Sequence, residues 1–317
     1  MEISVIIPIF NEEKGVLPLY VKLKEVLERF GREYEIIFVD DGSKDRSFEV
    51  LQEVTCKDGG VIAIQLRRNF GQTAALAAGF DAASGKIVIP MDGDFQNDPE
   101  DIPGLILKIE EGYDIVSGWR KKRRDSLFTR RIPSFFANRL ISWMTGVHLH
   151  DYGCTLKAYR AEMIKNIKLY GEMHRFLPAL ASWQGAKVTE LEVRHHPRGY
   201  GRSKYGLSRT FKVFLDLITV KFLGSFSTKP SYVFGGIGLF LFLLGMISGT
   251  TIILQKISLG YSMIQSPLLH LTALLITLSI LFVLNGLLAE LLVRTYHESQ
   301  DKPTYLIKQT VNLKRKG

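Results

Sequence analysis

Two cysteines in 317 residues, Cys56 and Cys154, are too few and too far apart for a disulfide framework or a cysteine-rich metal site. They fit simple packing roles in a reducing compartment. The opening residues, Met1-Glu2-Ile3-Ser4, lack a basic stretch ahead of an apolar one, so no signal peptide is expected. The first apolar run, EISVIIP, is not followed by GxGxxG, which disfavours a dinucleotide-binding start. A net charge of +9 comes without any nucleic-acid-binding motif. Its basic residues instead cluster at 120–131, at 194–212 and in Lys314-Arg315-Lys316, positions that suit a membrane surface and phosphate ligands. Charge is missing altogether from residues 231–255 and 257–289. Each run exceeds the roughly 20 residues that a bilayer crossing needs. A buried core helix would be the plainer reading of one such run, but two of this length predict a pair of transmembrane helices.

What is present ahead of those runs is an alternation of strand and helix patterns. Apolar strands are expected at residues 2–8, 34–39, 61–66, 86–90 and 113–118, with helical patterns at 16–30, 43–56, 73–83 and 99–111 between them. Five strands alternating with helices predict an α/β domain with a mostly parallel sheet covered on both faces. In such sheets ligands gather beyond the carboxyl ends of the strands. Asp40-Asp41-Gly42-Ser43 sits at one of these ends. Its carboxylates can accept hydrogen bonds from a base or ribose, while Asp41 or Ser43 can equally cap the following helix.

The sharpest stretch is Met91–Pro99, MDGDFQNDP, after the fourth strand. Asp92 and Asp94 stand two apart, and carboxylates that close repel unless a cation or protons neutralise them. A hard divalent cation bridging to a diphosphate suits them, since Mg²⁺ takes few carboxylates plus phosphate oxygens. Gly93 permits close backbone approach, and Gln96 adds a neutral oxygen. Taken alone, the stretch is equally a solvated acidic turn. His148-Leu149-His150-Asp151 also tempts a metal reading, but zinc wants three or four ligands and no further His or Cys cluster lies nearby.

IPIFNEE, VDDGS, NFGQTAALAAG and MDGDFQNDP, in this order and spacing, resemble family 2 glycosyltransferases of GT-A fold. Within that family the sequence is most similar to the polyprenyl-phosphate glycosyltransferases, the bacterial bactoprenol glucosyltransferases and dolichol-phosphate mannose synthases. The resemblance covers nearly the whole chain, including the two C-terminal apolar runs. It implies a GT-A nucleotide-sugar-binding domain with Pro8, Phe10, Glu12, Asp41 and Asp92 at the donor, and Mg²⁺ or Mn²⁺ on Asp92, Asp94 and Gln96. The turn reads DGD where many relatives have DAD, a change expected to be minor. Catalytic roles are implied for Asp94, Asp151 and Arg120, with Asp151 opening DYGCTLKAYR in the manner of the family's D-x-x-G-F-R-A-Y-R segment. Arg130 and Ser134, spaced to share a helix face, would grip the acceptor phosphate. Arg198, Ser203 and Lys204 match the family's R-x-x-G-x-S-K loop, a basic lid for the donor diphosphate.

The organisation expected is a cytoplasmic GT-A domain over 1–205 and an interfacial amphipathic helix over 206–229. A two-helix transmembrane hairpin over 230–293 and a basic cytoplasmic tail over 294–317 follow. One lysine in the loop at 256–267, against many basic residues on both flanks, puts both termini in the cytoplasm. The function implied is inverting transfer of a hexose, glucose from UDP-glucose, to undecaprenyl phosphate at the inner membrane. Two spans bury little surface alone, so a homo-oligomer is a further expectation, and no nucleic-acid partner is expected. A polysaccharide synthase would carry QxxRW, but only Trp183-Gln184 is present. A transporter would need more intramembrane polar groups than Asn285 and Glu290. A membrane-anchored nucleotide-sugar-binding regulator without catalysis is the alternative of a different class.

Overall fold

The computed structural model describes residues 1–121, 138–197 apart from 140, 144, 166, 168 and 170–172, then 230–259, 262, 266–299 and 305–313. Arg130, Ser134, Arg198, Ser203, Lys204, the segment 206–229 and Lys314-Arg315-Lys316 lie outside these residues. The chain divides into two compact units, Met1–Val220 with Pro303–Gly317, and Lys221–Lys302.

In the first unit the five expected strands form within a residue or two of their predicted ends. They are β1 Ile3–Ile9, β2 Tyr34–Asp40, β3 Val61–Leu66, β4 Ile87–Pro90 and β5 Ile115–Trp119. Three more, β6 Lys157–Arg160, β7 Val188–Glu192 and β8 Ile307–Val311, complete an eight-stranded sheet among the described residues. The order is β7-β5-β6-β4-β1-β2-β3-β8. Strand β1 pairs parallel with β2 and β4, β2 with β3, and β5 with β7. Strand β6 is antiparallel to both β4 and β5, and β8 is antiparallel to β3.

Helices cover the sheet because their apolar residues recur every three or four positions. In α1, Glu13–Phe30, these are Val16, Leu19, Leu23 and Leu27, and the helix stops at Gly31 in the left-handed region. They pack on Ile3, Val5, Ile7 and Ile9 together with α2, Ser47–Lys57, and α4, Ile102–Glu110. The strand's alternation sends Ile6 to the other face, where α3, Gln72–Ala82, lies. A short helix α5, Leu177–Trp183, follows a 3₁₀ turn at Met173–Phe176.

The tail over 294–317 departs from the basic segment expected. The second apolar helix continues to Ser299, and Ile307–Val311 then adds β8 to the open edge of β3. An edge strand presents unpaired amides and carbonyls that need partners, which is the physical reason for the pairing. Four of β8's five residues are exposed, so no hydrophobic alternation announces it in the sequence.

The second unit holds α6, Pro230–Leu259, and α7, Pro267–Ser299. Within them Phe234–Ser258 and Pro267–Leu288 are long and apolar enough to cross a membrane. Most of their large apolar side chains, such as Leu239, Ile247, Leu254, Leu274 and Leu284, face outward rather than into a core. Small residues let the two helices approach: a Cβ on Gly238 would lie 2.8 Å from Val283 Cγ2, and Thr272 Oγ1 donates to Ser248 Oγ at 2.9 Å.

A glycine of α3 facing the sheet gives a direct test of this packing. A Cβ at Gly79 would sit 2.3 Å from Ile6 Cγ2. Gly79→Ala should therefore overpack the interface and cost about 1–3 kcal/mol. The melting temperature of the sheet domain should fall by roughly 2–12 °C. An unchanged melting curve would contradict the placement of α3.

Candidate active site

The loops after β1, β2 and β4 converge because β1 lies between β2 and β4, so the chain leaves it in opposite directions on its two sides. That switch point opens a crevice beyond the strands' carboxyl ends. Asn11 takes a left-handed conformation just after β1, at φ +52°. Its amide donates to Ser43 Oγ at 2.9 Å, and its Oδ1 accepts from Lys44 N at 2.8 Å. The amide of Glu12 donates to Ser47 Oγ at 2.8 Å. Phe10 and Glu12 thus lie on a loop laced to the one after β2, with Pro8 just before it at the end of β1.

Asp41 does not cap α2. That helix begins at Ser47, where Asp45 Oδ1 accepts from Ser47 N. Asp41 is buried and turns to the loop after β3, accepting from Phe70 N at 2.7 Å, Gly71 N at 2.9 Å and Asn69 Nδ2 at 2.9 Å. Burial pushes its carboxyl up to about 6, against the lowering effect of the Phe70 and Gly71 amides.

Asp92 and Asp94 follow β4 on the far side of β1. Between them a Cβ on Gly93 would meet Ile9 Cδ1 at 2.6 Å and Pro8 O at 3.1 Å, so this turn lies close against β1. Asp92 Oδ1 accepts from Gln72 Nε2 at 2.8 Å. Burial, and next the Asp94 carboxylate, raise its pKa against Thr155, Arg120 and Arg175. Asp94 Oδ1 accepts from Gln96 N at 3.1 Å, with Phe95 between them in the left-handed region at φ +62°. Asn97 Oδ1 accepts from Asp92 N at 3.3 Å. The segment that enters the R-x-x-G-x-S-K loop is fastened here too. His195 forms an antiparallel bridge with Asn97, and His196 N donates to Gln96 O at 3.0 Å. His196 Nε2 lies 2.9 Å from Asp98 Oδ2.

Arg120 and Asp151 form one unit beyond β5. Arg120 Nε donates to Asp151 Oδ2 at 2.7 Å and a terminal nitrogen to Oδ1 at 3.1 Å, with both side chains largely buried. Burial works against the charge of Arg120, but Asp151 keeps its pKa raised. Of the HLHD stretch, His150 stacks on Trp119 at 4.3 Å, and its Nδ1 lies 2.7 Å from Glu190 Oε2.

Pro8 near the end of β1, and Phe10, Glu12, Asp41, Asp92, Asp94, Gln96, Arg120 and Asp151 on the loops, therefore gather beyond the ends of the central strands. Sequence reasoning passed over Gln72, Thr155 and Arg175, which act on Asp92, and His174, whose Nδ1 lies 2.7 Å from Thr73 Oγ1. The available signal was Met173-His174-Arg175-Phe176, two basic residues held in an apolar run leading into α5. The pair Asp92 and Asp94 fits a hard divalent cation that keeps water and takes phosphate oxygens, because burial and the Asp94 carboxylate both raise the cost of ionising Asp92. Among the described residues no group of three or more His, Cys, Asp or Glu side chains forms a closed protein cage for a metal.

Comparison with known proteins places this geometry. The Glycosyl transferase family 2 profile matches residues 4–168. A dodecaprenyl-phosphate galacturonate synthase from Rhizobium johnstonii is 43% identical over 98% of this chain and 93% of its own length. An undecaprenyl-phosphate 4-deoxy-4-formamido-L-arabinose transferase from Edwardsiella ictaluri is 38% identical over 98% of this chain and 94% of its own. Among solved structures, mannosyl-3-phosphoglycerate synthase from Rubrobacter xylanophilus superposes with a TM-score of 0.56 at 16% identity, covering 70% of this chain and 74% of that one. Glucosyl-3-phosphoglycerate synthase from Mycobacterium tuberculosis gives 0.53 at 19% identity, covering 69% and 78%. These two share the fold.

The raised carboxyl of Asp41 has a thermodynamic signature. An unfolded aspartate titrates near 3.9, so between about pH 4 and pH 6 the folded chain binds a proton that the unfolded chain has lost. The contribution of Asp41 to stability therefore falls as pH rises through that window, by roughly 3 kcal/mol at about 1.36 kcal/mol per pH unit. Chemical denaturation of wild type and Asp41→Asn across pH 4–7 should show the wild type losing ground to the variant up to about pH 6 and not beyond. A difference independent of pH would refute the shift.

Proposed function

The chain belongs to glycosyl transferase family 2 and is a glycosyltransferase, and from that premise we propose that it transfers a sugar from a uridine diphosphate donor to undecaprenyl phosphate or a similar polyprenyl phosphate. The relatives above are named for galacturonate and 4-deoxy-4-formamido-L-arabinose, not for glucose. The UDP-glucose expectation therefore gives way to these, with galacturonate preferred because the 43% relative carries it. The observation that supports the reading is the Asp92–Asp94 pair at the β1/β4 switch point, in a chain that aligns along 98% of its length, apolar helices included, with polyprenyl-phosphate sugar transferases.

The acceptor phosphate has a second pKa near 6, so at neutral pH it is mostly a dianion and attacks the anomeric carbon without a strong base. One displacement inverts that carbon and releases the nucleoside diphosphate. What remains for the protein is to bring two anions together and to offset charge on the departing one. Asp92, Asp94 and Gln96 would hold Mg²⁺ or Mn²⁺, which supplies positive charge to the donor diphosphate. Pro8, Phe10, Glu12 and Asp41 shape the pocket for the nucleoside. Asp151 holds Arg120 charged and in place beside Asp92. Arg198, Ser203 and Lys204 would contact the donor diphosphate, and Arg130 and Ser134 the acceptor phosphate.

The cytoplasmic placement of both termini is part of the same reading. Met1–Val220 and the strand after α7 belong to one compact unit, so a hairpin that crosses the bilayer twice leaves both ends on one side. Cysteine at Ser258 should react with an impermeant reagent outside intact spheroplasts, and cysteine at Lys44 should not. Labelling at position 44 would reverse the orientation.

The activity is tested by supplying radiolabelled UDP-galacturonate, UDP-4-deoxy-4-formamido-L-arabinose and UDP-glucose with undecaprenyl phosphate and counting lipid-extractable label. Label from galacturonate or the arabinose sugar is expected, and glucose alone would restore the earlier expectation. Turnover should stop with EDTA and fall about 10²–10³-fold in Asp94→Asn, the usual loss for one electrostatic contact. Full activity after metal removal would end the metal-dependent reading, and donor binding with no transfer would favour a nucleotide-sugar-binding regulator.

A further inference from the structure

Strand β8 does more at the sheet edge than satisfy β3. Its register places Gln309 opposite Gln65. Gln309 Nε2 donates to Gln65 Oε1 at 3.1 Å, and Gln65 Nε2 donates to Asp40 Oδ2 at 3.1 Å. The other oxygen of the buried Asp40, Oδ1, accepts from Ser43 N at 3.1 Å. Ser43 Oγ in turn accepts from Asn11 N at 2.9 Å. A continuous line of hydrogen bonds therefore runs from the C-terminal strand to the two loops assigned above to the nucleoside.

The line has a direction. An amide has one donor end and one acceptor end, so Gln309, by donating to Gln65 Oε1, leaves the NH₂ of Gln65 aimed at Asp40. Were Gln65 reversed, its carbonyl oxygen would face a buried carboxylate, and Asp40 would lose a donor. Two other side chains hold β8 in register: Tyr305 Oη donates to Asp81 Oδ2 at 2.7 Å, and Asn312 Nδ2 donates to Thr55 O and Val61 O at 2.8 and 3.0 Å. Arg67 N also donates to Leu306 O at 2.9 Å.

We propose that Gln309 is a positioning residue for nucleotide binding, which sets the amide of Gln65 so that Asp40 orders the Ser43 and Asn11 loops. The ligand class, a nucleoside diphosphate, rests on the function proposed above, whereas the ordering of the loops does not. The polarity of the amide makes the role testable by sign. Gln309→Lys keeps a donor to Gln65 Oε1. Gln309→Glu offers only acceptors, draws the NH₂ of Gln65 towards itself and turns the amide against Asp40. Lys308→Glu, on the neighbouring exposed position, changes charge while leaving the Gln65–Gln309 pair in place.

The experiment uses the full chain in nanodiscs. Amide hydrogen exchange without ligand is followed in peptides covering residues 8–16 and 38–46, and UDP affinity with Mn²⁺ is measured by calorimetry at 0.15 M and 0.5 M salt. Gln309→Glu should speed exchange in both peptides and weaken UDP by roughly 2- to 12-fold, the equivalent of one neutral hydrogen bond. Gln309→Lys should stay within about twofold of wild type in both readouts, as one such bond is retained. Equal behaviour of the Glu and Lys variants would overturn the proposal, since strand docking alone has no sense of amide direction. A loss in Lys308→Glu matching that in Gln309→Glu, or one abolished by salt, would overturn it in favour of long-range charge. Altered exchange with unchanged UDP affinity would overturn the link to nucleotide binding. Failure of the wild type to bind UDP would strike the function proposed above, while the exchange data would still decide the ordering of the loops.

Discussion

Two carboxylates two residues apart at the end of one strand set the terms for the rest of the catalytic unit. Asp92 sits partly buried beside Asp94, with its own ionisation opposed by both burial and its neighbour. Neither effect can be relieved by moving the turn, because Gly93 is pressed against β1 and the turn is tied to Asn97, which bridges His195. Positive charge has to be brought to them. Arg120 and Arg175 supply part of it within the protein. A metal ion and the basic segments are the natural remainder, and every substrate in the proposed reaction is itself an anion.

The parallel half of the fold was legible because its strands are buried on both faces. Val5-Ile6-Ile7, Ile36-Ile37-Phe38 and Ile62-Ala63-Ile64 read as continuous apolar runs bounded by turn residues. The three later strands carry no such mark. Strand β6 is Lys-Ala-Tyr-Arg, in which the buried Lys157 reaches the carbonyls of Tyr152 and Cys154 instead of solvent. Strand β7, Val-Thr-Glu-Leu-Glu, is only half-buried, and its two glutamates make it read as a polar connection. Strand β8 is held by backbone pairing and by Tyr305 and Asn312, not by an apolar face.

Site residues divided in the same way. Those in short acidic clusters at strand ends, Asp41, Asp92 and Asp94, were visible because carboxylates in that position have few structural uses. Asp41 still differed from its capping alternative, since the acceptor it offers is taken by the loop at 69–71 rather than by α2. Gln72, Thr155 and Arg175 were not visible because each reaches Asp92 from a different part of the chain. Only the packing of α3 and the 173–176 turn brings them to one carboxylate.

The position of β8 in the chain also orders events in time. A polypeptide emerges from the ribosome in sequence, so β1 to β7 are available while α6 and α7 are still to be made. Until the segment beyond α7 follows, β3 has a bare edge, with amides and carbonyls open to any strand that meets them. The nascent sheet domain therefore passes through an interval in which it is prone to pair wrongly and its nucleotide loops lack their distal support. That interval closes only after both apolar helices have been synthesised and given the chance to enter the bilayer. An intermediate released into the aqueous phase before then would carry an unpaired sheet edge, which is an aggregation hazard.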